Sequence, residues 1–219
     1  KHIQSKKKNK ILLIQNKAIE LSLFLSLPAT IALILGSEQI ISSLFGYGSF
    51  NESSVLNSSL ALYYFSLGLP AFALIKVCSS FFFANHNTKT PFYISLISVI
   101  LNIIISIYYF NKIGFIIIPI ATTISSWFNF VLLFIFLKNR NLFSFNKIFL
   151  INFVKIVIAS ILMGFVFYFL LNFFQNQLEF DNITKSFYLL LSVLLAMTSY
   201  FFICYFMKAF KMSDIQLKY

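Results

Sequence analysis

Residues 92–137 read FYISLISVILNIIISIYYF, then Asn111-Lys112, then IGFIIIPIATTISSWFNFVLLFIFL. Neither apolar run contains an acid or a base. A helix needs about 20 apolar residues to cross the hydrocarbon of a bilayer, and each run has that reach. No water is available there to backbone amides, so each run must satisfy its own hydrogen bonds as a helix. Asn111 to Gly114 closes a tight hairpin between them. This stretch reads as two antiparallel membrane-spanning helices.

The same reading extends outward to runs at 19–35, 55–84, 148–174 and 186–207. With 59% hydrophobic residues and a mean hydropathy of +0.87, little sequence remains for a soluble domain. The fold class is therefore an all-α membrane protein, a polytopic bundle of six transmembrane helices. Gly36 ends the first span and 37–45 forms a short interfacial helix. Gly46-Tyr47-Gly48 offers two positions free for positive φ. Asn51 caps the second span, with Glu52 in its first turn. Thr90 caps the third, with Pro91 at its first helical position. Pro28, Pro70 and Pro119 lie inside spans, as static kinks or as flexible points.

Charge placement orients the bundle. Lys1, Lys6, Lys7, Lys8, Lys10 and Lys17 precede the first span. Lys89 follows the second, Lys138, Arg140 and Lys147 follow the fourth, and Lys208, Lys211 and Lys218 close the chain. The opposite loops hold Lys112 and Lys185, together with Glu38, Glu52, Glu179 and Asp181. The positive-inside rule places both ends in the cytoplasm. The net charge of +11 is thus a topology signal with some attraction to anionic membrane lipid. Nucleic-acid binding would need these bases on a folded soluble surface, and none is expected.

Catalytic patterns are missing. The six acids fall at span ends or in loops, His2 and His86 have no partner in sequence, and Cys78 and Cys204 make neither a disulfide framework nor a metal spacing. The expectation is no enzyme, no cofactor and no metal. Polar groups at membrane depth are few. Lys155 is expected to snorkel. Lys76, beside Cys78, Ser79 and Ser80, either snorkels or faces a polar cavity. Asn102 and Ser106 share one face of the third span, and Thr122 stands on the next helix. Their oxygens read either as an interhelical hydrogen-bond set or as a weak cation site. Ala159, Ser160 and Gly164 form a small-residue stretch on the fifth span, a packing seam or a shallow groove.

Leu27-Pro28-Ala29, Ser43-Leu44-Phe45-Gly46-Tyr47-Gly48-Ser49-Phe50, Gly68-Leu69-Pro70 and Ile75-Lys76-Val77 follow one another here in that order. Thr88-Lys89-Thr90-Pro91, Asn102, Gly114 and Ala121-Thr122-Thr123-Ile124 continue the pattern. Together they resemble the MurJ/MviN lipid II flippases, within the multidrug/oligosaccharidyl-lipid/polysaccharide exporter superfamily. The resemblance implies the C-terminal part of a fourteen-helix, two-lobed transporter in the bacterial cytoplasmic (inner) membrane. On that template 1–17 is a cytoplasmic basic lead-in and 18–140 holds four helices of the C-terminal lobe. Residues 141–210 add two C-terminal helices, and 211–219 is a cytoplasmic tail. A chain opening on Lys in mid-loop is expected to be a fragment whose partners include the missing N-terminal helices.

The implied function is movement of lipid II, the undecaprenyl-linked peptidoglycan precursor, to the outer leaflet by alternating access, in the service of cell-wall biogenesis and cell shape. Lys76 and Lys89 would then offer cations to the substrate, and Ala159, Ser160 and Gly164 would line a groove for its tail. A flippase for another polyprenyl-linked glycolipid, of O-antigen or capsule type, and a non-transporting membrane scaffold are the alternatives.

Overall fold

The structure, a computed structural model, describes residues 2–209, with side chains from Lys10 onward; the expected tail at 211–219 lies outside the described residues. Within them the chain is helical: α1 (His2–Leu35), α2 (Ser37–Phe45), α3 (Glu52–Ser66), α4 (Leu69–Ala84), α5 (Lys89–Ile113), α6 (Ile117–Asn139), α7 (Lys147–Phe173) and α8 (Lys185–Phe206). Helices α1, α7 and α8 are each long and apolar enough to cross a membrane, and α3 with α4 pass that test together.

Residues 89–139 are one helical stretch interrupted by a 3-10 turn at Gly114–Ile116. Asn102 on α5 donates to Thr122 of α6 (3.0 Å), and Asn129 of α6 reaches Ser95 of α5 (3.4 Å). Residue numbers rise along one helix as they fall along the other, so the chain doubles back. The reversal is at Gly114, whose φ of 74° would strain any side chain. The hairpin is therefore two helices of membrane-spanning length, as its sequence requires, and six candidate spans result among the described residues.

The chain divides into two compact units, 1–26 with 67–151 and 27–66 with 152–219.

In the first unit, α4 and α5 both pack on α6. Leu133 and Leu137 of α6 and Phe82 of α4 are completely buried. Phe143 and Phe145 fold the 140–146 connection back onto Phe81, Phe134 and Phe149, with ring centroids 4.8–6.0 Å apart. Asn16 fixes the same connection to α1. Its amide donates to the Ser144 carbonyl (2.8 Å) and its oxygen accepts from the Asn146 N–H (3.2 Å). The basic lead-in is thus continuous with the first span, and α1 carries a buried Glu20 paired with Lys17 at 2.8 Å.

In the second unit, α2 packs on α3 and α8. Asn51 caps α3 as expected, accepting from the Ser54 N–H at 2.9 Å. Gly48 takes positive φ (61°), but Gly46 does not. Gly46 is instead required for close approach, because a Cβ there would lie 2.5 Å from the Ser42 carbonyl oxygen. Lys155 Nζ donates to the Lys208 carbonyl (3.4 Å).

Several expected features take another form. The second span is two helices, broken at Leu67-Gly68. Trp127 Nε1 donates to the Leu67 carbonyl (3.0 Å), which satisfies backbone freed by the break. Of the three prolines, only Pro28 lies well inside a helix. Pro70 and Pro119 fall in the first turns of α4 and α6, where a missing N–H removes no helical bond. The start of α5 is held by Asn87, whose side-chain oxygen accepts from the Thr90 N–H at 3.1 Å. Thr90 is therefore inside the helix, and Pro91 is its third residue.

Large apolar side chains such as Ile107, Tyr108, Phe165 and Phe169 are exposed. In a soluble domain such a surface would be a liability; here it is the expected lipid-facing side of membrane helices.

Candidate functional site

In the first unit, polar groups of α5 and α6 face one another. Ser95, Ser98 and Asn102 recur on α5 at helical spacing, facing Thr122, Ser125, Ser126 and Asn129 of α6. Phe72 and Ile75 of α4 complete the wall of a cleft of about 390 Å³. Ser95 also borders a second cleft of about 570 Å³ formed by Ser79, Phe83, Thr88, Lys89, Phe92 and Tyr93. The two form one lane along α5, its walls mostly apolar with polar groups set among them. From Lys89 to Asn102 it covers about 20 Å at 1.5 Å per residue.

Within the lane the hydroxyls bond their own helices: Ser98 to the Ile94 carbonyl, Thr122 to Ile118, and Ser126 to Thr122. Such bonds are how Ser and Thr are accommodated in apolar helices. Asn129 differs: its amide reaches Ser95, but its oxygen is buried with no hydrogen-bond partner. That oxygen is shut off from the cleft, whereas Asn102 and its partners bond α5 to α6.

The three residues read as a weak cation site do come together. Asn102 Nδ2 donates to Thr122 Oγ1 (3.0 Å) and to Ser125 Oγ (3.3 Å), while its oxygen accepts from Ser106 at 3.5 Å. In this orientation the Asn102 amide bonds α5 to α6. Among the described residues no three His, Cys, Asp or Glu side chains are placed to hold a metal ion.

Lys89 lies at the rim of the larger cleft and is exposed. Lys76 is also exposed, on α4 beside the Ile75 position, but it borders neither cleft. Ala159, Ser160 and Gly164 do not line an open groove. All three are buried, and a Cβ on Gly164 would meet Ile31 Cγ2 of α1 at 2.6 Å. Ile31 thus packs directly against Gly164.

Sequence reasoning treated Lys185 as a loop charge. The structure buries it to 1% exposure at the start of α8. Its Nζ donates to the carbonyls of Gly46 (2.7 Å) and Phe180 (2.6 Å) and lies over the rings of Tyr47 and Phe180, 4.4 and 4.6 Å from their centroids. Beside it Ser186 donates to the Ser43 carbonyl (2.6 Å) and bonds the Tyr47 hydroxyl (2.7 Å). The signal available in sequence was slight: a lysine at a helix N-terminus, where the helix dipole disfavours a cation.

A bundle of helices this long and apolar defines a multi-pass membrane protein. Residues 1–208 match the profile of the lipid II flippase MurJ, and the chain belongs to that family. It is 34% identical over 194 residues to a probable lipid II flippase MurJ of Rhizobium tropici, covering 88% of this chain and 36% of the relative. A probable lipid II flippase MurJ of Rickettsia prowazekii (strain Madrid E) is 40% identical over 121 residues, 55% of this chain and 24% of that protein. The solved structure of a lipid II flippase MurJ in an inward closed conformation superposes with a TM-score of 0.74 at 27% identity. It covers 93% of this chain, which spans 41% of its length. The chain is thus well under half as long as these relatives.

Proposed function

We propose that this chain is part of a flippase that carries lipid II, the undecaprenyl-linked peptidoglycan precursor, from the inner to the outer leaflet of the cytoplasmic membrane. The observation that carries this reading is membership of the MurJ family along residues 1–208. The relatives' greater length supports a carrier completed by helices beyond these 219 residues. No bond is made or broken. The difficulty is one of solvation, because polar groups without partners in hydrocarbon each cost about 2–7 kcal/mol. The lane of Ser95, Ser98, Asn102 and Asn129 would replace part of the water that the headgroup loses. Lys89 at its mouth would attract the pyrophosphate, with Lys76 nearby on α4. The prenyl chain can remain in lipid throughout.

Alternating access requires the two conformations to bind headgroup differently. Pro28, inside α1, is a point where a helix can bend between them. Both ends of the segment are assigned to the cytoplasm by the positive-inside rule. The test is complementation: the complete gene should rescue a bacterium depleted of its lipid II flippase. Rescue of an O-antigen or capsule flippase mutant instead would reassign the substrate. Rescue of neither would leave the scaffold reading.

A further inference from the structure

The second span breaks at Leu67-Gly68, where its hydropathy runs on without interruption. In a continuous helix the Leu67 carbonyl accepts from the Ala71 N–H, four residues on. Here the Phe72 N–H bonds the Gly68 carbonyl (3.0 Å), but no Ala71–Leu67 bond forms among the described residues. The Leu67 carbonyl takes the Trp127 indole N–H of α6 instead, at 3.0 Å. Pro70 adds to the break, because it has no N–H to offer the Ser66 carbonyl.

A second residue of α6 meets the same point. Thr123 stands one turn before Trp127, and a Cβ on Gly68 would lie 3.0 Å from its Oγ1 and 3.1 Å from the Phe72 ring. The missing side chain at Gly68 is what lets α6 come this close. Gly68 itself keeps right-handed helical backbone angles, so the break is not imposed by a strained turn. One carbonyl thus has two alternative donors, the indole when the span is broken and the Ala71 amide when it is continuous. In hydrocarbon it must have one of them, and changing donor trades one hydrogen bond for another. Trp127 is 38% exposed, so its ring can leave without opening the core.

We infer that Trp127 is a latch on the second span. While the indole holds the Leu67 carbonyl, the span stays broken. Release passes that carbonyl to Ala71 and joins α3 and α4 into one helix, kinked at Pro70. Phe72 and Ile75, on the first turns of α4, line the cleft that contains Asn102, so the latch also sets the position of that wall. The inference goes beyond the flippase reading and does not depend on it, because it concerns the two conformations of a single span.

The experiment uses the full chain in phosphatidylcholine nanodiscs. Trp127 is the single tryptophan, so 15N-labelled tryptophan gives one indole resonance that reports the latch directly. Spin labels on Leu56→Cys and Phe83→Cys, both at exposed positions, report the length of the span by pulsed electron resonance. The native cysteines are buried and give little background. In the otherwise unchanged chain the distance should fall short of the about 40 Å that an unbroken helix from 56 to 83 spans. Trp127→Phe keeps an aromatic ring but loses the donor, and should lengthen the distance toward that limit. Pro70→Ala, which gives the Ser66 carbonyl a donor, should lengthen it as well. In that variant the indole proton should move upfield and exchange faster with water. Thermal melting checks the fold of each variant, and Pro70→Ala decides alone if Trp127→Phe does not fold. An unchanged distance in Trp127→Phe, or a distance and an indole resonance that fail to move together in Pro70→Ala, would overturn the latch.

Discussion

Lys185 Nζ sits 4.4 Å above the ring of Tyr47, and the buried ammonium joins two loops distant in sequence. The cation donates to Gly46 and Phe180, so one side chain ties the turn after α2, the connection before α8 and α8 itself. Ser186, the next residue, bonds both the Ser43 carbonyl and the Tyr47 hydroxyl.

Lys185→Met should therefore be costly. It removes the donor to two carbonyls, and an unsatisfied buried group costs about 1–3 kcal/mol. Thermal unfolding in detergent should show a loss of roughly 2–5 kcal/mol. Tyr47→Leu, which removes only the ring face and one hydroxyl, should lose about 0.5–2 kcal/mol. Equal stability of wild type and Lys185→Met would mean that the cage contributes nothing.

Gly164 provides a test of packing. A Cβ at this position would overlap Ile31, and overpacking costs about 1–3 kcal/mol. Gly164→Ala should lower the melting temperature, and Ile31→Ala in the same chain should restore part of the loss. Gly164→Leu in an intact flippase should impair long- and short-prenyl substrates alike. Selective loss of the long-chain lipid would restore the tail-groove reading.

How much of this was legible beforehand varies with range along the chain. The α5–α6 hairpin could be read because its apolar length, its freedom from charge and the Asn111–Gly114 turn are all local. The Asn51 cap was legible for the same reason. Pro91 and Thr90 were misread by about two residues because Asn87 competes for the cap, and the pattern alone does not rank them. Pro70 and Pro119 read as internal because the hydropathy runs straight through helix boundaries that only backbone geometry reveals. Lys185 was opaque: its partner Gly46 is 139 residues away, and a charge between Thr184 and Ser186 looks like any solvated loop residue. The small residues around Gly164 were visible, but Ile31, which packs against Gly164, was not.

Topology is checked by cysteine labelling. Single cysteines at Asn51 and Asn176 should react with a membrane-impermeant maleimide in intact cells, and those at Asn87 and Asn141 only after permeabilisation. The native Cys78 and Cys204 are buried, so background labelling should be low. Reversed labelling would invert the orientation.

Asn102 distinguishes a hydrogen-bond set from a cation site. An interhelical bond in a membrane averages about 0.6 kcal/mol, with a maximum near 1.7, so Asn102→Ala should destabilise by an amount in that range. The melting temperature should be the same in sodium and potassium chloride for both proteins. A sodium-specific rise in the wild type, absent from Asn102→Ala, would establish ion binding by Asn102, Ser106 and Thr122.

Lys89 offers a separation of function from stability. It is the first residue of α5, where the positive end of the helix dipole disfavours a cation by about 0.3–1 kcal/mol. Lys89→Met should therefore leave the fold unchanged or slightly more stable. If the residue attracts the pyrophosphate of the substrate into the lane, the same change in an intact flippase should lower the flipping rate about tenfold, the effect of losing ~1.4 kcal/mol. Lys89→Arg, which keeps the charge, should restore most of it. Lys76→Met, at a position outside both clefts, should have the smaller effect. The measurement is lipid II exposure on the outer leaflet at matched protein levels. Full flipping by Lys89→Met would remove the lysine from the substrate path, and a larger loss at Lys76 than at Lys89 would move that path onto the other face of α4.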